Sequence, residues 1–172
     1  MAKIIGAILL ILCCGGFGYF KGNQCGQRVN QLMELAKITE FLKGEIAFSR
    51  TTLPEALERI GKKTAERFAE FLLELSKSMK TYSGEGFAEL LKIEMEKYLK
   101  NSFLEKEDLE NFYQAYRNLG YLDKEMQIHI LERYIKEQER LIDMLSQQLP
   151  AQKKLFHSLG VLGGIFLTII LI

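Results

Sequence analysis

The sequence predicts an all-α protein: a bundle of about six helices between an N-terminal and a C-terminal transmembrane helix. Three observations carry this. Breakers are scarce, with two prolines in 172 residues, while the helix formers Leu, Glu, Lys and Gln abound. Apolar residues recur at spacings of three and four through the interior, with no clear strand pattern. Charge is segregated: every Asp and Glu lies between Glu34 and Asp143, and every Lys and Arg except Lys3 lies between Lys21 and Lys154.

The first element is the apolar run Ile4 to Phe20, 17 uncharged residues. As a helix it spans about 25 Å, near the short end for a bilayer. A cleavable signal peptide competes with this reading, since Gly16-Phe17-Gly18 offers small residues for cleavage. A lipoprotein site at Cys13 is disfavoured by the bulky Leu12. The very short basic region and the helical pattern after Phe20 favour an uncleaved anchor. The closing run, Leu155 to Ile172, is 18 residues, or about 27 Å. His157 and Ser158 stand next to Lys153 and Lys154 at headgroup level, and Thr168 can bond back to its own helix. The run ends with the chain, so little is expected beyond the membrane.

Lys21, Arg28, Lys153 and Lys154 flank the body side of the two runs, and Lys3 alone stands on the other. By the excess of basic residues the body is cytosolic and both ends lie outside. Small residues recur every four positions at Cys14, Gly18, Gly22 and Gly26, and again at Gly160 and Gly164. Such stripes let helices approach closely, so the two anchors are expected to pack together or against another subunit. The resulting division is 1–20 anchor, 21–154 body and 155–172 anchor.

Within the body the first helix runs to about Phe48, with Leu35, Ile38, Phe41 and Leu42 on its apolar face. Thr52-Leu53-Pro54-Glu55 is a capping-box pattern opening a short second helix that stops near Gly61. The third carries Phe68, Phe71, Leu72, Leu75 and Met79, and Ser83 to Gly86 breaks it. The fourth carries Phe87, Leu91, Met95 and Tyr98. The fifth carries Leu109, Phe112, Tyr116 and Leu119, with Gly120 as its stop. Asp123 caps the sixth. Its positions Ile128, Leu131, Ile135, Ile142, Leu145 and Leu149 form a coiled-coil-like seam, with Gln138 expected as a partly exposed residue at the one polar seam position. Pro150 removes a helix hydrogen bond and is expected to kink the helix about one turn before the bilayer.

Function classes are narrowed mainly by exclusion. Residues 21–154 hold as many basic as acidic residues, which argues against nucleic acid as main partner. Cys13, Cys14 and Cys25 have no metal or disulfide spacing. His129 has only Glu125 on its helix face, too little for a metal site. Gly84 and Gly86 lack the rest of a phosphate loop. No catalytic, cofactor-binding or metal-ligating residue is identified. Lys62, Lys63 and Arg67, with Lys80 or Lys100, read as solvated surface.

The opening Lys3-Ile4-Ile5-Gly6-Ala7, the stretch Leu53 to Leu57, Leu119-Gly120 followed by Asp123, the closing Ser158 to Gly164 and the terminal Ile169 to Ile172 resemble the stage III sporulation protein AB family. The resemblance covers the whole chain. It implies a component of the channel complex linking mother cell and engulfed forespore. It also implies an antiparallel bundle similar to the cytosolic domains of type II secretion inner-membrane platform proteins. Such a domain would couple a cytosolic secretion-type ATPase to other channel-complex membrane proteins, with membrane lipid as a further contact and no cofactor. Arg50, Thr51, Thr52 and Asp123, in turns of the body, are the candidate partner surface. A coiled-coil tether that only dimerises is the alternative from another class.

Overall fold

The computed structural model describes the backbone of residues 2–49, 51–64, 66–81 and 86–171, and their side chains except those of 2–5, 7–12, 66, 170 and 171. Six α-helices and no strand occur among the described residues: α1 Ala2–Phe48, α2 Leu53–Gly61, α3 Glu66–Lys80, α4 Phe87–Tyr98, α5 Lys106–Tyr116 and α6 Lys124–Leu171. Among these residues, no helix is long and apolar enough to cross a membrane. Eight of the 17 side chains of the first apolar run, and the last residues of the second, lie outside the described residues.

The chain divides into two compact units. A terminal unit comprises Met1–Asn30 with Asp143–Ile172, and a central unit comprises Gln31–Ile142.

In the central unit the expected apolar faces form one core. Leu32, Leu35, Ile38 and Leu42 of α1 are buried, as are Leu57 of α2, Phe71, Leu72 and Leu75 of α3, and Leu91 of α4. Phe112 and Tyr116 of α5 and Leu131, Tyr134 and Ile135 of α6 complete it. Phe112 stacks on Tyr116 at 4.1 Å between ring centroids and meets Phe71 and Tyr134 edge-on at 6.1 and 6.2 Å. Offset and edge-on rings contribute beyond their buried area, which makes this cluster the joint between α3, α5 and α6.

Local chemistry sets the boundaries. The Thr52 N–H donates to the Glu55 carboxylate at 3.1 Å, and the Glu105 N–H donates to Asp108 at 2.8 Å. Each supplies a partner for a backbone donor at a helix start. The Ser76 hydroxyl, buried on α3, donates to the Pro54 carbonyl at 2.7 Å and ties α3 to the first turn of α2. The Asp123 carboxylate accepts the Met126 N–H at 2.9 Å and caps α6.

Three expectations are corrected. Phe41 is 45% exposed, because it lies at the edge of the buried arc set by Leu35, Ile38 and Leu42. Helix α5 stops at Tyr116 rather than Gly120; the chain then turns through Leu119 N–H to Tyr116 C=O at 2.9 Å, which tucks Leu119 into the core without a further helical turn. Gly120 serves that turn with φ 85°, a conformation glycine adopts without Cβ strain. Gln138 is 2% exposed, not partly exposed, because it shares the inward arc with Leu131, Ile135 and Ile142. Helix α6 runs through Pro150 to Leu171, the proline removing one of its hydrogen bonds.

In the terminal unit the small-residue stripes meet. Gly18 and Gly22 are buried, and so is Gly164. A Cβ on Gly18 would stand 2.4 Å from the Phe156 carbonyl oxygen, and one on Gly160 would stand 2.7 Å from that of Cys14. Only glycine permits this backbone approach. The Lys153 side chain lies along the same stripe, 3.6 Å from a Cβ built on Gly22 and 3.5 Å from one on Gly26. The Tyr19 and His157 rings are 5.2 Å apart.

Candidate functional site

Three turns of the central unit share one end. The Lys124 ammonium donates to the Ala47 carbonyl, which brings the start of α6 to the end of α1. A Cβ on Gly120 would lie 3.7 Å from Leu53, and one on Gly86 would lie 3.5 Å from the Tyr121 hydroxyl. The starts of α2, α4 and α6 therefore gather beside the end of α1. At the other end the Arg67 guanidinium donates to the Asn101 carbonyl at 2.9 Å, and the Phe103 N–H donates to the Gln31 side chain at 2.8 Å. The turn end stands about 27 Å from Gln31 along α1, at about 1.5 Å per residue.

Thr51, Thr52 and Asp123 all lie at this turn end, and Arg50 lies outside the described residues. Each of the three has local work. The Thr51 hydroxyl donates to Glu45 at 3.2 Å and lies 2.8 Å from the Ser49 hydroxyl, while Glu45 pairs with Arg59 at 3.6 Å. This network ties the α1–α2 turn to α2. Thr52 and Asp123 cap α2 and α6. Sequence reasoning missed the two aromatics beside them. Phe48 is 93% exposed and Tyr121 is 71% exposed. The signal was available: Phe48 is the last residue of α1, beyond its buried stripe, and Tyr121 follows the turn glycine. Exposed aromatics flanked by polar turn residues have the make-up of binding anchors.

Lys62, Lys63 and Arg67, expected as solvated surface, are exposed. Lys62 and Lys80 both bond the Glu58 carboxylate, Lys62 at 2.6 Å. These hydrogen bonds hold Glu58 at about 2, well below its ordinary value. Arg67 is engaged with Asn101 instead. Cys13, Cys14 and Cys25 are free thiols. Among the described residues no group of three or more His, Cys, Asp or Glu could hold a metal ion.

The family model for stage III sporulation protein AB matches residues 3–172. The chain belongs to that family. Its members are sporulation structural proteins and not a known enzyme family, and membership supports a role in sporulation. Among solved structures the chain is similar to Stage III sporulation protein AB (SpoIIIAB), with a TM-score of 0.65 and 20% identity, over 72% of this chain and 96% of that one. At that identity the likeness speaks for the fold alone. No curated protein matches.

Proposed function

We propose that the chain is a non-enzymatic platform component of the sporulation channel between mother cell and forespore, secretion-like in organisation and required for spore development. Segments 1–20 and 155–172 hold it in the mother-cell membrane around the forespore, with the body 21–154 in the cytosol. Lys21, Arg28, Lys153 and Lys154 meet anionic headgroups. The close approach of Gly18 and Gly160 supports this, because packing of small residues is the means by which helices associate in lipid.

The observation that carries the reading is the turn end of the central unit, where Phe48 is 93% exposed beside the caps of α2 and α6. There the platform would receive a cytosolic secretion-type ATPase or another channel protein. The tether alternative would instead spend the α6 seam on a second copy. Leu131, Ile135, Gln138 and Ile142 are buried within the single chain, which favours the platform.

The test is co-purification from sporulating cells of tagged full-length chain, wild type and Phe48→Ala/Tyr121→Ala. The wild type should retain the ATPase or a channel membrane protein, and the variant should lose it while still accumulating in the membrane fraction. A wild-type chain that retains neither would overturn the platform reading.

A further inference from the structure

A second surface lies between α4 and α5 of the central unit. A groove of about 930 Å³ runs between the two helices, at the upper end of the range for binding pockets. Its lining has two chemistries. Ile93, Leu109 and Tyr113 give an apolar floor, with Ile93 47% exposed. Lys92, Lys97, Lys100 and Lys106 stand around it, all exposed.

The spacing explains the arrangement. Lys92 and Glu96 fall on one stripe of α4, with Ile93 and Lys97 beside it, and Lys100 follows in the turn after the helix. On α5, Lys106, Leu109, Glu110 and Tyr113 fall at i, i+3, i+4 and i+7. The two stripes face the same space. Against four lysines stand only Glu96 and Glu110, so the groove carries a surplus of two positive charges inside a body that is neutral overall. Among the described residues none of the four lysines is in an ion pair, whereas Lys62 and Lys80 of the same unit are; Lys97 stands over the Tyr98 ring, 4.8 Å from its centroid, which leaves Lys92, Lys100 and Lys106 to meet a partner. Glu110 is further occupied by the Gln114 amide at 2.6 Å.

We infer that this groove binds an acidic amphipathic helix of a partner protein, with its apolar residues on Ile93, Leu109 and Tyr113 and its carboxylates on the surrounding lysines. Charge complementarity selects the partner's sign, and the apolar floor requires apolar side chains to fill it. A free phosphate would leave the floor uncovered, and a flat lipid surface would not enter a groove. The site lies toward the α4–α5 turn, at the opposite end of the unit from Phe48, so the two surfaces can succeed or fail independently.

The test is selection of displayed helical peptides on detergent-solubilised full-length chain, from a library in which the residues around an i, i+4, i+7 apolar stripe are acidic, neutral or basic. Acidic peptides with an intact apolar stripe should be enriched. Their affinity should fall at least tenfold with Lys92→Glu/Lys100→Glu and with Ile93→Ser, and far-UV circular dichroism should show the helical content unchanged. Enrichment of basic or neutral peptides, no enrichment, or binding indifferent to these variants would each overturn the assignment. So would competition by anionic vesicles as strong as that of the selected peptide, which would make the surface a lipid contact. Should Ile93→Ser perturb the fold, the exposed lysine pair alone decides the matter.

Discussion

Gln138 sits among Leu131, Ile135 and Ile142, and its side-chain oxygen is buried without a hydrogen-bond partner. An apolar residue of similar size removes that desolvation cost. Gln138→Leu should therefore leave stability within about 1 kcal/mol of wild type, on the stabilising side, as read from urea unfolding of the detergent-solubilised chain. Thr39 behaves in the opposite way. Its buried hydroxyl donates to the Leu35 carbonyl at 2.7 Å and so accepts from the Tyr116 hydroxyl at 2.8 Å. Thr39→Val strands the Tyr116 hydroxyl in the core and should cost about 1–3 kcal/mol in the same measurement. Burial raises the phenols of Tyr116 and Tyr134 above their ordinary range. The unfolded chain would release those protons near pH ~10 while the folded chain keeps them. Stability from this source is therefore complete below that pH and falls as pH rises beyond it. Unfolding midpoints at about pH 8 and about pH 11 should differ in that direction, and tyrosinate absorbance should rise together with unfolding.

Among elements, the terminal helices depend on two glycines for their approach. Gly18→Ala would drive a methyl into the Phe156 carbonyl and should cost about 1–3 kcal/mol, as overpacking does. Gly16→Ala meets nothing within 4 Å and should stabilise α1 by about 0.5–1 kcal/mol, because alanine is the better helix former. Equal thermal shifts for the two variants would show that the close approach does not form. Helices α2 and α3 are linked on the surface by Glu58, which Lys62 and Lys80 share. The link is intact above the ordinary carboxylate value of 4.5 and is lost as pH falls through about 2. Its contribution is small because the group is exposed. Lys80→Ala should move the Glu58 titration, followed by NMR, back toward 4.5.

At the scale of the whole molecule, the proposed platform and its tether alternative make different demands on the α6 seam. The middle of the seam, Leu131, Ile135, Gln138 and Ile142, is covered within one chain and offers no free apolar edge to a second copy, while Ile128, Leu145 and Leu149 are half-buried. The full-length chain in detergent should therefore sediment as a monomer, and a stable dimer that dissociates with Leu131→Glu would restore the tether. The two candidate surfaces lie at opposite ends of the central unit, one built of aromatics and caps, the other of lysines around an apolar groove.

Helix number, most helix ends and the buried faces were legible in the sequence, because caps such as Thr52-Glu55 and Asp123 act within one turn and apolar spacing repeats within a helix. The charge-free ends and the family resemblance were legible for the same reason, as both are carried by contiguous residues. Only the tertiary structure decided which turns share an end, since that depends on contacts such as Lys124 with Ala47 and Gly86 with Tyr121 across many residues. It also decided that Gln138 is buried, that Phe48 stands free, and that Lys62 and Lys80 are spent on Glu58. A residue's own type does not say which neighbour will cover it. The small-residue stripes at the two ends show the division most clearly. Their spacing is local and could be read directly; that Gly18 faces Gly160 follows from the pairing of two segments at opposite ends of the chain.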